Sequence, residues 1–168
     1  MTIIDLNNNP NFYHDTGKEH RRQHETEHGP KVMRFDPGGL LPTRAHDGDA
    51  GWDLHSNTDV VVRPGETVKV PTGIAVGVPY GQCGDVRSRS GLASRGIVVA
   101  NSPGTIDHGY TGEVCVLLHN QGRELHRVRR GDRIAQLVFT YINTAPLRLV
   151  DTLEESARGG DGFGSTGA

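Results

Sequence analysis

The chain has 168 residues, 34% of them hydrophobic, and a net charge of -2 with histidine neutral. That length suits one domain with tails, and a chain without a basic excess makes a poor polynucleotide binder. A small phosphorylated ligand stays open, because a local pocket can be cationic on a neutral protein.

The first stretch shows no basic region followed by an apolar one, so no secretory signal is expected. From His14 to Lys31 there is no apolar residue. Such a stretch has little to offset the entropy of ordering. Residues 1–30 are therefore expected to form a polar extension, with Ile3, Ile4, Leu6, Phe12 and Tyr13 as a weak docking point. His24-Glu25-Thr26-Glu27-His28 matches the H-E-x-x-H pattern of zinc proteases. That chemistry needs both histidines on one rigid helix face plus a third ligand. No apolar flank packs such a helix, and a solvated face explains the spacing more simply.

From Lys31 onward, short apolar runs alternate with turns. Val60–Val62 leads into Arg63-Pro64-Gly65-Glu66, where Pro and Gly suit a tight turn. Thr67–Val70 and Ile74–Val78 follow, then the turn Pro79-Tyr80-Gly81. Ser90–Ser94 could make one helical turn. Ile97–Ala100, Val114–Leu118, Leu125–Val128 and Ile134–Tyr141 read as strands, with turns at Asn120-Gln121-Gly122 and Arg130-Gly131-Asp132. Leu147–Val150 is the last candidate strand. The Val/Thr/Ile content and the spacing of the turns predict an all-β sandwich or barrel over residues 31–150. The 23 glycines, about twice the average usage of roughly 7%, fit many turns. Residues 151–168 are glycine-rich, with Phe163 the only large apolar group after Leu153; they form an arm rather than a core segment. Cys83 and Cys115 are too few for a disulfide framework and lack metal-type spacing, so two reduced thiols in a cytoplasmic protein are expected. No apolar run is long enough to cross a bilayer, so no membrane partner is expected.

Five polar segments interrupt the strands. The first places Asp53 between apolar neighbours at a strand start; a turn or capping role is the simple alternative. In the second, Arg89-Ser90-Gly91, a guanidinium, a hydroxyl and a bare backbone N–H are complementary donors for phosphate, although Ser and Gly also suit a capped turn. The third, Asn101 to Glu113, reads blandly as a hairpin; chemically, it sets Asp107 near Tyr110, a carboxylate that could activate water beside a ring that could cover a sugar. In the fourth, Asp132 and Arg133 are expected to be structural and Gln136 a ligand. The fifth is the glycine-rich arm, suited to wrapping phosphates, though composition alone suggests a flexible tail.

Together, and in this order, the five segments closely resemble the trimeric dUTP pyrophosphatase (dUTPase) family, over roughly Val32 to Thr166. The resemblance implies a jelly-roll-like β-barrel assembled as a homotrimer, with an exchanged C-terminal arm and each active site built from three chains. It implies hydrolysis of dUTP to dUMP and pyrophosphate with Mg²⁺, which limits uracil in DNA and supplies dUMP. Asn101, Gly104, Thr105, Ile106 and the returning strand near Cys115 would form the uracil pocket, recognising the base mainly through backbone groups. Asp107 would orient or deprotonate the water that attacks the α-phosphorus, and Tyr110 would pack on the deoxyribose. Arg89, Ser90, Gly91 and Gln136 would hold phosphates, and Asp53 would support the metal through water. Arg158 would reach the γ-phosphate, Phe163 would stack on uracil, and Gly164, Ser165 and Thr166 would close on the nucleotide.

The chain departs from that pattern at Trp52, at His108-Gly109, where many members carry an acidic residue, and in the extension before Lys31. Ser102-Pro103-Gly104-Thr105-Ile106-Asp107 with Gly109-Tyr110 resembles the form found in actinobacterial members. dCTP deaminases, and their bifunctional relatives, share the fold. They need a carboxylate on the strand after the hairpin, where this chain has Leu117. A non-enzymatic binding or regulatory module is the third reading.

Overall fold

The computed structural model describes residues 29–156 and 159–160. Among the described residues, eleven strands and one short helix follow in order: β1 Lys31–Arg34, β2 Trp52–His55, β3 Val60–Val62, β4 Thr67–Pro71, β5 Ile74–Gly77, β6 Gln82–Arg87, α1 Ser90–Ala93, β7 Ile97–Val99, β8 Gly104–Ile106, β9 Cys115–Asn120, β10 His126–Val128 and β11 Arg133–Tyr141. All pairings are antiparallel. One sheet runs β2-β11-β6-β8 and a second runs β4-β9-β7; β1 pairs β5, and β10 pairs β3. This is the expected all-β, jelly-roll-like architecture.

The core draws on both larger sheets. Leu54, Val86 and Leu137 come from the first, and Val70, Val116, Leu118 and Ile97 from the second. Fully burying one such side chain stabilises the fold by about 1.5–3 kcal/mol. The turn at Arg63–Glu66 forms as its sequence requires: Glu66 N–H donates to the Arg63 carbonyl at 3.0 Å, and Gly65 sits at φ 75°.

One expectation needs correction, and one strand carries no sequence signal. Leu147–Val150 is not a strand, and Leu147 and Leu149 are fully exposed (104% and 97%). The run is apolar, but no strand among the described residues offers it a ladder, and apolarity alone does not make a strand. Conversely, Gln82–Arg87, with its glycine and charges, gives no apolar alternation, yet β6 is the strand that joins β8 to β11. Its buried Asp85 is tolerated because Arg87 Nη2 donates to it at 2.9 Å and the Thr140 hydroxyl at 3.4 Å.

Candidate active site

The 115–120 strand explains why its sequence is so apolar. Val116 and Leu118 point into the core, whereas the half-buried Cys115 and Leu117 face the other way. On that side lies a cavity of about 290 Å³, lined by Cys115 and Leu117 together with Asn101, Gly104, Thr105, Ile106, Asp107 and Tyr110. The pocket-forming residues expected from the sequence are therefore brought together. Lys69, Val86, Glu113 and Val114 also line it and are not among the site residues expected from the sequence. Lys69 stands opposite Leu117 in the β4–β9 register, a placement no local pattern reveals.

The far wall is a tight hairpin. Strand β8 pairs β6 up to Ile106↔Gly84, and the ladder stops there. Asp107 to Tyr110 then form a turn closed by the Tyr110 N–H donating to the Asp107 carbonyl at 3.2 Å. Gly109, at φ 86°, supplies the left-handed third position of that turn. The Tyr110 hydroxyl donates to the Glu113 carbonyl at 3.0 Å, which fixes the ring across the pocket mouth. A Cβ on Gly112 would lie 2.5 Å from that hydroxyl, so a larger residue there would displace the ring. Glu113 ties the hairpin to β5: its Oε1 accepts from the Gly73 N–H at 2.7 Å, and Val114 N–H donates to the Ile74 carbonyl at 2.9 Å. Burial pushes the Cys115 thiol above its ordinary value, and Glu113 adds to the rise while Lys69 opposes it. The pocket thus presents a neutral thiol and an apolar Leu117.

A second cluster sits around β2, β11 and the start of α1. Asp53 is 6% exposed and accepts from Arg89 Nε at 2.9 Å and from Arg133 Nη1 at 3.2 Å. Arg89 also donates to the Arg133 carbonyl at 3.3 Å. A β-bulge at Arg133–Ala135 turns this edge of β11, a common device beside functional sites. Gln136 faces both Asp53 and Arg87 in register. Ser90 and Gly91 open α1 at the surface, with free space over Gly91. Two guanidiniums against one carboxylate leave this cluster cationic, which suits phosphate. Burial holds the His55 imidazole below its usual range; Asp53 opposes that shift, and Arg133 and Arg89 add to it. Asp132 is structural as expected, its Oδ2 accepting from the Arg129 N–H at 2.8 Å. Arg133 is structural too, through Asp53.

The donor set does not fit a metal bound directly by protein. Both Asp53 oxygens are occupied by arginines, and the described residues hold no group of three or more His, Cys, Asp or Glu suited to a metal. What Asp53 does in this geometry is aim Arg89.

The hairpin pocket and the arginine cluster do not merge. The cavity of about 330 Å³ beside Arg89 and Arg133 shares no lining residue with the hairpin pocket. Arg158, Phe163, Gly164, Ser165 and Thr166 lie outside the described residues, as does the His24–His28 pattern with almost all of the 1–30 extension. Among the described residues, no helix is long and apolar enough to cross a membrane.

The family model described as dUTPase matches residues 39–167. A relative from Nocardia farcinica, named deoxyuridine 5'-triphosphate nucleotidohydrolase, is 50% identical over 138 residues, covering 81% of this chain and 84% of that one. The Staphylococcus bacteriophage 80alpha dUTPase, solved with dUpNHpp, superposes with a TM-score of 0.79 at 31% identity, covering 83% of this chain and 99% of that one. A mutant dUTPase from phage phi11 of S. aureus, described with a structural Mg(II) ion, gives 0.71 at 28% identity, covering 76% and 99%.

Proposed function

The chain belongs to the dUTPase family, and on that premise we propose that it hydrolyses dUTP to dUMP and pyrophosphate, with Asp107 as the base. The observation that carries this reading is the hairpin: Asp107 and Tyr110 are the two ends of one turn at the mouth of a pocket of about 290 Å³. Uracil enters the pocket and pairs with backbone groups of Gly104, Thr105 and Ile106, near Asn101 and Cys115. Cytosine would set a donor against a donor. Tyr110 covers the deoxyribose face. Water attacks the α-phosphorus, Asp107 takes its proton, and the bond to the β-phosphate oxygen breaks as pyrophosphate leaves. Leu117 offers no acid–base group for deamination at the position where a deaminase of this fold needs a carboxylate. Turnover keeps uracil out of DNA and supplies dUMP.

Arg89, Ser90, Gly91 and Gln136 hold the phosphates. Because their cluster is separate from the pocket within one chain, a neighbouring copy supplies them, in a homotrimer. The exposed Tyr141, Leu147, Leu149 and Leu153 support this, since such apolar side chains need a covering surface. The segment from residue 151 is the exchanged arm, bringing Arg158, Phe163, Gly164, Ser165 and Thr166 over a site on another chain. Residues 31–150 form the barrel, and residues 1–30 stand outside the chemistry. Bound with the substrate, Mg²⁺ would neutralise phosphate charge; Asp53 would support it only through water, while orienting Arg89. We place the protein in the cytoplasm, where its substrate pool lies.

A panel of dUTP, dTTP, dCTP and UTP with product identification, with and without Mg²⁺, tests the assignment. Release of dUMP and pyrophosphate from dUTP alone is expected. Ammonia release from dCTP, or equal turnover of UTP, overturns it.

A further inference from the structure

Asp107 stands beyond the end of the sheet. The last β8–β6 pair is Ile106↔Gly84, and Asp107 to Gly109 are all exposed. Within the turn, the Tyr110 N–H to Asp107 carbonyl bond and the Gly109 conformation set its shape. Neither fixes the turn's position relative to the barrel, because both lie inside the turn. Tyr110, at one end of the turn, is tied through Glu113 to Gly73, and one side chain of the turn reaches the β5–β6 corner directly. His108 Nδ1 is 2.7 Å from the carbonyl oxygen of Val78. A carbonyl only accepts, so Nδ1 carries the hydrogen. Val78 is 3% exposed and belongs to the core, so the anchor is rigid. The imidazole also meets the Tyr80 ring edge to face, with centroids 5.6 Å apart and planes at 87°. Together these hold the imidazole on the β5–β6 turn at two points.

We propose that His108 is a positioning residue: it clamps the turn that carries Asp107 onto the β5–β6 corner and so fixes the carboxylate relative to the pocket. The inference rests on the reading of Asp107 as the base. The side chain acts through its neighbour, because its donor nitrogen is spent on Val78 rather than on substrate. One hydrogen bond and one ring contact hold the turn to the β5–β6 corner, away from the end that Tyr110 ties to Glu113. Their loss lets the carboxylate wander from its productive geometry, and small misplacements are costly to rate.

The experiment is a short series on the full chain with dUTP. His108→Ala is expected to lower kcat by about tenfold while KM stays within about twofold. His108→Asn places its amide N–H where Nδ1–H stood, and is expected to recover most of kcat. His108→Gln sets its amide one carbon further out and is expected to stay slow. In an Asp107→Asn background, His108→Ala should cost nothing further, since the group it positions is gone. Melting curves show whether each variant is folded. Full-speed His108→Ala overturns the proposal, as does His108→Asn as slow as the alanine variant. So does a loss confined to KM, or an undiminished further loss in the Asp107→Asn background. Near-normal turnover by Asp107→Asn alone removes the premise and the proposal together. An inert Asp107→Asn beside a full-speed His108→Ala sinks the positioning role only.

Discussion

At the scale of single residues, the hairpin separates binding from chemistry. Apart from Asp107, the pocket lining includes the apolar Ile106, Val114 and Leu117, whose packing does not depend on the Asp107 charge. Asp107→Asn should therefore keep affinity for dUpNHpp within a few-fold while turnover falls by about 10²–10⁴-fold, the usual worth of a positioned base. Calorimetric binding alongside steady-state kinetics checks both halves; turnover near the parent value contradicts the assignment. His126, in the wall of the cavity beside Arg89, gives a pH prediction that is read on stability. Burial holds its imidazole below the ordinary value of 6.5, with Arg95 adding to the shift and Asp132 opposing it. The unfolded chain then binds this proton more readily than the folded one. The stability linked to His126 is present in full above the unfolded value and is lost as pH falls through the folded one. Melting temperatures taken from neutral pH down to about 5 should decline less for His126→Gln than for the parent; equal slopes would show that His126 does not contribute.

At the scale of elements, the sequence marks strands well where they face the core on one side, as at Val60–Val62 and Ile134–Tyr141, because side-chain hydrophobicity is then the dominant force. It fails where pairing or ion pairing decides. β1 is exposed at all four residues and is a strand only because β5 lies beside it. β6 buries an aspartate that distant Thr140 and neighbouring Arg87 make tolerable. The site divides in the same way. Asp107, Tyr110, Arg89 and Gln136 stand out as residue types set in glycine-bearing turns, whereas Lys69 reaches the pocket through a cross-strand register and leaves no local trace. The Asp53 cluster shows the cost of such long-range pairing. Removing its carboxylate leaves Arg89, whose side chain is 24% exposed, facing a buried gap. Arg133 is 53% exposed, so water screens its share. Asp53→Ala is expected to destabilise the fold by about 1–3 kcal/mol and to raise KM for dUTP more than it lowers kcat, because Arg89 loses its aim. Denaturant melts and kinetics test this; a stable variant with unchanged KM would mean that Arg89 is positioned by other contacts.

At the scale of the whole molecule, the hairpin pocket and the arginine cluster share no lining residue, and Tyr141, Leu147, Leu149 and Leu153 stand exposed with no other described residue covering them. Both facts have one solution if copies of the chain share their sites around a closed ring. The arithmetic of sharing can be measured. Take one variant, Asp107→Asn, with its arm intact, and another truncated before Arg158 with Asp107 intact. Each alone should be nearly inactive while remaining trimeric. In a random 1:1 mixture, a working site needs Asp107 from a truncated chain and an arm from an Asp107→Asn chain. If these come from two different subunits, the two choices are independent, and about one quarter of the sites should work. If the arm folds back over its own chain, every site lacks one group or the other, and the mixture stays as inactive as its parts. Mixed refolding, with heterotrimers confirmed by native mass spectrometry, separates the two outcomes. Recovery well short of a quarter, in confirmed mixed trimers, would return the arm to its own subunit.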